Sequence, residues 1–271
     1  MRVSCGRLRS GLRFAAGELF GTAFERAPDA HGNGLGVLLV PGFGCGDRAL
    51  TLAAAWLRRR GYRPAGARIG LNLGCTTELV GRLERRAEEH AEATGGRVVL
   101  LGQSRGGWLS RLLAVRRPDL VRALVAASSP VLDPLGAHPA VVRRARLLTR
   151  LSAAGVPGLL EDDCFTGDCY REHADSLARP LPRQVPALAV YSRLDRVVPW
   201  HLCQDPSAEC VEVESSHTGM ALQPAFYSVL EPRLAVWAKG DPVRTRRRRR
   251  AARVPAVAVR PVPASHPEPC S

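Results

Sequence analysis

The sequence has no hydrophobic run long enough to cross a membrane. Of its 271 residues 45 % are hydrophobic, but no stretch approaches the ~20 consecutive apolar residues that a membrane-spanning helix needs. The N-terminal segment also lacks the uninterrupted apolar core of a signal peptide, because Arg13 and Glu18 divide it. We therefore expect a globular, cytoplasmic protein in which residues 1–34 form a lead-in segment with an amphipathic helix.

The eight cysteines include no CxxC pair, and this absence argues against a zinc site. The histidines also lie away from the cysteine pairs, with the exception of His173. The even number of cysteines is compatible with disulfides, and the pairs Cys164/Cys169 and Cys203/Cys210 are each close enough to close a local loop. Without a signal peptide we expect free thiols in a reducing compartment, whereas disulfides would indicate a secreted or surface protein. We predict no metal ion and no cofactor.

The C-terminal residues 241–271 lack aromatic side chains and any apolar period that would bury one face. Within them, residues 243–271 contain eight arginines and one acidic residue, and so carry half of the net charge of +14. This proline- and arginine-rich composition predicts a disordered tail. A run of arginines binds phosphates or lipid head groups in some proteins, but it is more often a solvated segment. Because no nucleic-acid module is recognisable, we expect no specific nucleic-acid partner and only weak contact with anionic surfaces.

Between residues 35 and 240, short apolar runs alternate with amphipathic segments. The strand candidates are 36–40, 62–70, 97–101, 119–130 and 187–195. The helix candidates are 48–60, 77–94, 108–117 and 225–239. Regular alternation of strand and helix is typical of a mostly parallel sheet with helices on both faces. We therefore predict a single α/β domain over this range.

One short motif, GQSRG at residues 102–106, directly follows the apolar run 97–101. Its serine, Ser104, stands between Gly102 and Gly106 and fits the pattern Gly-x-Ser-x-Gly. In that pattern a sharp turn from strand to helix holds the serine in a strained conformation above the sheet. The flanking glycines are needed because bulkier residues would collide with neighbouring backbone. A plain glycine turn is the alternative, but the position between strand and helix favours a nucleophilic serine.

A nucleophilic serine needs a base, and the base needs an acid that orients it, in the chain order serine, acid, histidine. His217 lies in a Ser/Gly-rich loop before the last helix candidate, which is the expected place for the base. For the acid, Asp195 ends the strand candidate 187–195. Asp133, after the preceding strand, is its competitor. We predict Ser104, Asp195 and His217 as the catalytic residues.

Taken together, four segments resemble the α/β-hydrolases, close to the bacterial esterase and lipase branch. They are VLLVPGFG (37–44), GQSRGG (102–107), YSRLDRVVPW (191–200) and SSHTGM (215–220). The resemblance implies the α/β-hydrolase fold, with an oxyanion hole formed by the backbone N–H groups of Phe43 and Arg105. Pro41 stands where the commoner opening of this loop is His-Gly, so any role of a histidine side chain is lost while the backbone donor at Phe43 remains. The side chain of Arg105 would either favour anionic or polar leaving groups or point to solvent.

The same resemblance implies a serine hydrolase that cleaves small carboxylic esters through an acyl-enzyme. Acyltransferases and thioesterases share the motif, and a non-catalytic binding protein that retains it is a further alternative. The oligomeric state stays open.

The segment from about 135 to 185 is too long for an ordinary connection, and its pattern over 140–160 predicts a helix. The resemblance implies that this segment caps Ser104. Six of its apolar residues would line an acyl-binding cleft or, alternatively, pack helix on sheet. They are Leu147, Leu148, Leu151, Leu159, Leu160 and Phe165.

Overall fold

An open sheet of six parallel strands forms the centre of the protein in a computed structural model, which describes residues 31–239. The strands lie in the order β2-β1-β3-β4-β5-β6. They are β1 (Gly36–Val40), β2 (Arg63–Gly66), β3 (Val98–Gln103), β4 (Val121–Ala127), β5 (Ala187–Tyr191) and β6 (Glu209–Glu212). The five predicted strands and their parallel arrangement are confirmed, and β6 is an additional strand.

Helices cover both faces of this sheet. They are α1 (Thr51–Arg59), α2 (Thr76–Thr94), α3 (Arg105–Arg116), α4 (Pro139–Ala153), α5 (Asp163–Thr166), α6 (Asp168–Ala178) and α7 (Pro224–Ala238). Short 3₁₀ segments cover Asp47–Leu50, Trp200–Cys203 and His217–Leu222. The four helices predicted outside the cap are confirmed, although the first turn of the candidate 48–60 is a 3₁₀ turn.

Alternate residues of the central strands enter two separate cores. In β3, Val99 and Leu101 pack with α1 and α7 on one face, whereas Val98 and Leu100 pack with α2 and α3 on the other. Successive side chains of a strand point to opposite faces, so a strand covered on both sides must be apolar at every position. This is why β3 appears in the sequence as one continuous apolar run.

Strand β6 is mostly exposed, unlike β3, because it lies at the edge of the sheet. Its four residues, ECVE, begin and end with a charged glutamate, which is typical of edge strands that resist further pairing. No apolar run or clean alternation marks it, which explains why the sequence pattern did not reveal it.

The segment between β4 and β5 contains three helices, α4, α5 and α6, which we call the cap. The predicted helix over 140–160 is too long, since α4 ends at Ala153 and Gly155 follows with a φ of 93°. Glycine adopts this left-handed conformation readily, and such a residue commonly terminates a helix. Helices α5 and α6 were not predicted, and α6 packs against α3.

Two predicted segments lie outside the described residues. They are the N-terminal lead-in helix, which falls within residues 1–30, and the tail from 241 onward. Within residues 31–239 no helix combines the length and apolar character that a membrane span requires.

Candidate active site

The backbone at the end of β3 turns sharply at Ser104. This residue has φ 53° and ψ −125°, a conformation that is strained for any residue other than glycine. The turn is held by two backbone hydrogen bonds, from Ser104 N–H to Ala127 O at 2.8 Å and from Gly107 N–H to Ser104 O at 2.9 Å. Ser104 is thereby fixed at the carboxyl end of β3, directly before α3.

The tight approach of α3 to the sheet explains the glycines around the serine. A Cβ at Gly102 would lie 2.3 Å from the carbonyl oxygen of Gly106, and one at Gly106 would lie 2.2 Å from that of Val40. The crowding inferred from the motif is therefore confirmed. Gly107 is constrained in the same way, because its Cβ would lie 1.8 Å from Ser129 Oγ.

Ser104, His217 and Asp195 form one chain of hydrogen bonds. His217 Nε2 lies 3.0 Å from Ser104 Oγ, and His217 Nδ1 lies 2.7 Å from Asp195 Oδ2. The other carboxylate oxygen, Asp195 Oδ1, accepts hydrogen bonds from Val197 N–H at 2.8 Å and Val198 N–H at 2.9 Å. The structure thus brings together the three residues that the sequence analysis selected.

The environment of Asp195 favours its charged form. Burial by itself raises the pKa of the carboxyl group, but the hydrogen bond from His217 and the two backbone amides outweigh it, so the pKa lies below its usual value. The carboxylate of the competitor Asp133 accepts a hydrogen bond from Leu135 N–H at 3.0 Å. The histidine therefore contacts Asp195 and not Asp133.

One residue that supports the histidine was not identified from the sequence. Gln103 Nε2 donates a hydrogen bond to the carbonyl oxygen of His217 at 3.0 Å. Its position immediately before Ser104 was the available signal. Four of the other described histidines have separate contacts: His31 with Tyr62 and Glu231, His90 with Arg63 O, His138 with Ala140 N–H, and His201 with the Trp200 ring. The fifth, His173, borders the pocket from α6.

The turn after β1 lies directly against the serine. A Cβ at Gly42 would be 3.3 Å from Ser104 Cβ, so the backbone of this turn and the serine are in close contact. The side chain of Asn72 donates a hydrogen bond to Pro41 O at 2.7 Å and holds the turn from the other side. Phe43 and Arg105 both border the pocket that contains Ser104. Arg105 is the first residue of α3, where the N–H group has no acceptor inside the helix.

The side chain of Arg105 does not point to solvent. It is buried and donates hydrogen bonds to Asn72 O at 3.0 Å, Gly74 O at 2.9 Å and Thr76 Oγ1 at 3.2 Å. Burial lowers the pKa of its guanidinium group to about 10. Of the two alternatives that the sequence left open, exposure to solvent is therefore wrong, and Arg105 instead braces the loop that leads into α2.

A pocket that is open to solvent lies between Ser104 and the cap. Leu160 and Phe165 line it, as the sequence suggested, together with Val141, Val142 and Ala145 of α4. The expectation for Leu147 and Leu151 is wrong, since these side chains are 54 % and 42 % exposed on the opposite face of α4.

The two remaining candidates do not line the pocket either. Leu148 packs against the small hydrophobic cluster of the cap, and Leu159 is half-exposed. A helix of period 3.6 presents only one stripe to the pocket, and the sequence pattern did not reveal which stripe.

Three cysteines meet beside this pocket. The sulfur atoms of Cys75, Cys164 and Cys169 all lie within 4.8 Å of one another. The distance is 3.6 Å between Cys164 and Cys169, and 3.9 Å between Cys75 and Cys169. All three are free thiols, as are Cys203 and Cys210, so neither of the local loop closures considered from the sequence is formed here. The neighbouring Cys164 side chain lowers the pKa of the Cys75 thiol to about 5, against burial, which raises it.

Comparison with known proteins gives structural likenesses only. No protein-family model matches the sequence, and no curated protein matches it significantly. The mature lipase BlEst2 of Bacillus licheniformis superimposes with a TM-score of 0.57 at 14 % identity, over 74 % of this chain and 92 % of the lipase chain. A structure from work on the carboxylesterases of the thaumarchaeon Nitrososphaera gargenis gives a TM-score of 0.53 at 17 % identity, over 77 % and 92 % of the two chains.

A third similar structure is that of a hydrolase that is not named as a lipase or carboxylesterase. It is the 2-hydroxy-6-oxo-6-phenylhexa-2,4-dienoate hydrolase of Rhodococcus sp. strain RHA1, with a TM-score of 0.50 at 15 % identity, over 77 % of this chain and 92 % of the other. At these identities the likeness concerns the fold. The six-stranded parallel sheet, the helices on both faces and these superpositions together show that the chain has the α/β-hydrolase fold.

Proposed function

We propose that the protein is a serine hydrolase that cleaves carboxylic esters through an acyl-enzyme intermediate. The observation that carries this proposal is the hydrogen-bonded chain from Ser104 through His217 to Asp195. A serine, a histidine and an acid in this arrangement form an activated nucleophile, a base and a group that orients the base. The lipases and carboxylesterases with similar folds support the reaction class.

In the first half of the reaction, Ser104 Oγ attacks the acyl carbonyl carbon and His217 Nε2 accepts the serine proton. Asp195 keeps the imidazole in the tautomer that can accept a proton at Nε2, and it stabilises the imidazolium ion that forms. The tetrahedral intermediate then collapses, the C–O bond to the alcohol breaks, and His217 returns the proton to the leaving alkoxide oxygen. The alcohol departs and the acyl group remains on Ser104.

In the second half, water replaces the alcohol. His217 removes a proton from the water as its oxygen attacks the acyl-enzyme, and it then protonates Ser104 Oγ as the carboxylic acid leaves. We assign the N–H groups of Phe43 and Arg105 to the negative oxygen in both steps. Such donors act when they are fixed in place before the reaction, and loss of one typically costs on the order of 100- to 1000-fold in rate. The contact of the Gly42 turn with Ser104 supports this assignment.

The pocket supports an apolar acyl group as the substrate class. Val141, Val142, Leu160 and Phe165 offer aliphatic and aromatic surface beside Ser104, and Val198 adds to it from the sheet side. Burial of each methylene of an acyl chain contributes about 0.8 kcal/mol. We therefore expect esters of medium-length fatty acids to react faster than acetate esters.

The test compares the wild-type protein with Ser104→Ala on p-nitrophenyl esters from acetate to octanoate. We expect kcat to fall by on the order of 10⁶-fold in the variant, because the nucleophile and the base act as a unit. Ser228→Ala, which changes an exposed serine of α7, serves as the matched control.

Labelling with a fluorophosphonate probe and site mapping by mass spectrometry test the alternatives. Label at Ser104 without turnover of any ester would favour an acyltransferase or thioesterase, to be tested with thioesters and acceptor alcohols. No label at a folded Ser104 would contradict the proposal and favour a binding protein. Persistent ester hydrolysis by folded Ser104→Ala would also contradict it.

A further inference from the structure

The three clustered cysteines come from separate parts of the fold. Cys75 directly precedes α2 at the sheet side of the pocket, whereas Cys164 and Cys169 belong to α5 and α6 of the cap. Cys164 and Cys169 are buried, and Cys75 is half-buried. The cluster is therefore a point at which the cap and the hydrolase core meet through three sulfur atoms.

The spacing of the sulfur atoms matches a metal site better than a disulfide. In a tetrahedral site with Zn–S bonds of about 2.3 Å, the sulfur atoms lie about 3.8 Å apart. The observed distances of 3.6 Å and 3.9 Å are close to this value, and the third lies within 4.8 Å. A disulfide would require an S–S distance of about 2.05 Å, and it would leave one of the three thiols unused.

A histidine lies one helical turn beyond the cysteines. His173 follows Cys169 by four residues, so both lie on the same buried face of α6. Its side chain borders the same pocket as Cys164 and Cys169, and the residue is only 8 % exposed. Its Nδ1 atom is buried and has no hydrogen-bond partner among the described residues. Buried polar atoms are nearly always satisfied, so this nitrogen calls for a partner.

The charge around the cluster also suits a thiolate-rich metal centre. A zinc ion with three thiolates and a neutral histidine carries a net charge of −1. The guanidinium group of Arg105 is buried next to these sulfurs, and it donates hydrogen bonds only to uncharged oxygen atoms, those of Asn72, Gly74 and Thr76. It also lies over the rings of Phe43 and Trp108, at 5.9 Å and 5.6 Å from their centroids. Within residues 31–239 it forms no ion pair with a carboxylate. Because a buried charge needs compensation, an anionic centre at this place balances Arg105.

We propose that Cys75, Cys164 and Cys169 bind a zinc ion. His173 completes the site as the fourth ligand once its side chain moves closer, because in this structure its ring nitrogens do not lie within 4.8 Å of all three sulfur atoms. Cysteine and histidine are the ligands that structural zinc sites use, and four protein ligands leave no open position for substrate. The ion joins α5 and α6 of the cap to the start of α2 and fixes one wall of the pocket. This site reverses our expectation from sequence spacing, and it goes beyond ester hydrolysis, because zinc binding does not depend on the reaction at Ser104.

The test measures zinc in the full-length protein, purified under reducing conditions after expression with added zinc. We expect one zinc ion per chain by elemental analysis, and its loss in Cys75→Ser and Cys164→Ser. Cys210→Ser is the matched control, since Cys210 is an exposed cysteine outside the cluster, and it should retain the ion. Ser104→Ala should also retain it, which separates this proposal from the proposed function. His173→Ala should bind zinc more weakly in competition with a chromogenic chelator.

Cobalt substitution covers the case in which a cysteine variant fails to fold. Wild-type protein loaded with Co²⁺ should show thiolate-to-cobalt charge transfer in the near ultraviolet and the strong visible bands of tetrahedral cobalt. Absence of both the zinc and these bands from folded wild-type protein would overturn the proposal. So would zinc that persists in folded Cys75→Ser and Cys164→Ser. Loss of two thiols to a disulfide in zinc-supplemented, reduced protein would overturn it in favour of a redox link.

Discussion

The two walls of the pocket, one on the sheet and one on the cap, are held in place in different ways. Ser104 directly follows β3 and Asp195 lies in the turn after β5, and hydrogen bonds with backbone groups fix both residues. The cap wall consists of α4, α5 and α6 around a small cluster of five buried residues. Its position depends on side-chain contacts, among them the meeting of Cys75 with Cys164 and Cys169.

This difference separates two properties of the site. The reacting groups are fixed by the main chain of a large core, so their geometry tolerates little change. The surface that contacts the acyl group is formed by side chains of the cap. These side chains can be substituted without a change in the position of the sheet. We therefore expect substitutions on the sheet wall to affect the chemical step, and substitutions on the cap wall to affect the choice of substrate.

The largest effect should follow from a change at the sheet wall that leaves its shape intact. Asp195→Asn removes the charge that orients and stabilises His217, and we expect kcat to fall roughly 10⁴-fold. Asp133→Asn is the control, because Asp133 contacts the Leu135 amide and not the histidine. Steady-state kinetics of both folded variants check the prediction. A greater loss in Asp133→Asn would transfer the orienting role to that residue.

A smaller effect should follow when the turn after β1 loses its support. Asn72→Ala removes the hydrogen bond to Pro41 O, which positions the turn that carries Phe43. Because a displacement of about 1 Å costs up to 10²-fold, we expect kcat to fall roughly 10- to 100-fold with little change in KM.

Asn33→Ala is the matched control for that experiment. Asn33 also has a positive φ, 48° against 51° for Asn72, so both substitutions place alanine in the same left-handed conformation. Asn33 lies far along the chain from Ser104 and is exposed. If both variants lost activity equally, the loss would be due to backbone strain, and the hydrogen bond from Asn72 to Pro41 O would have no separate effect on kcat.

On the cap wall, Phe165→Ala should change selectivity more than chemistry. Phe165 is buried and lines the pocket, so its loss removes contact with a long acyl chain. We expect kcat/KM for octanoate to fall about tenfold relative to acetate, which corresponds to about 1.4 kcal/mol. Leu147→Ala, on the exposed face of α4, should leave the ratio unchanged. An equal loss on both esters would mean that the cap wall also positions the reacting groups.

The smallest effect on turnover should come from removal of residues 243–271. The hydrogen-bonded chain is complete within residues 31–239, so we expect kcat on a soluble ester to stay nearly unchanged. Adsorption to anionic vesicles should weaken and become less dependent on salt, because the deleted segment carries half of the net charge. A collapse of turnover in a folded truncated protein would show that these residues support the site.

Much of the sheet wall could be predicted from local patterns. Continuous apolar runs revealed the four inner strands, β1, β3, β4 and β5, because a parallel strand inside the sheet is buried on both faces. The edge strand β2 was also predicted, although it is only partly buried. The glycines around Ser104 revealed the turn, since only they allow α3 to approach the sheet so closely. The same reasoning fails for β6, which lies at the sheet edge and has no buried face to enforce a pattern.

The sequence by itself therefore determined the inner strands of the sheet, the turn at Ser104 and the order of serine, acid and histidine. Only the tertiary structure decided which face of α4 lines the pocket, where the side chain of Arg105 lies, and that Cys75 meets Cys164 and Cys169. The strands and the turn at Ser104 depend on residues that are neighbours along the chain, and a strand that is buried on both faces is apolar at every position, so local patterns reveal them. The features that only the tertiary structure decided depend on how the cap packs against α2 and α3, and contacts between residues so distant in sequence leave no local periodicity to read.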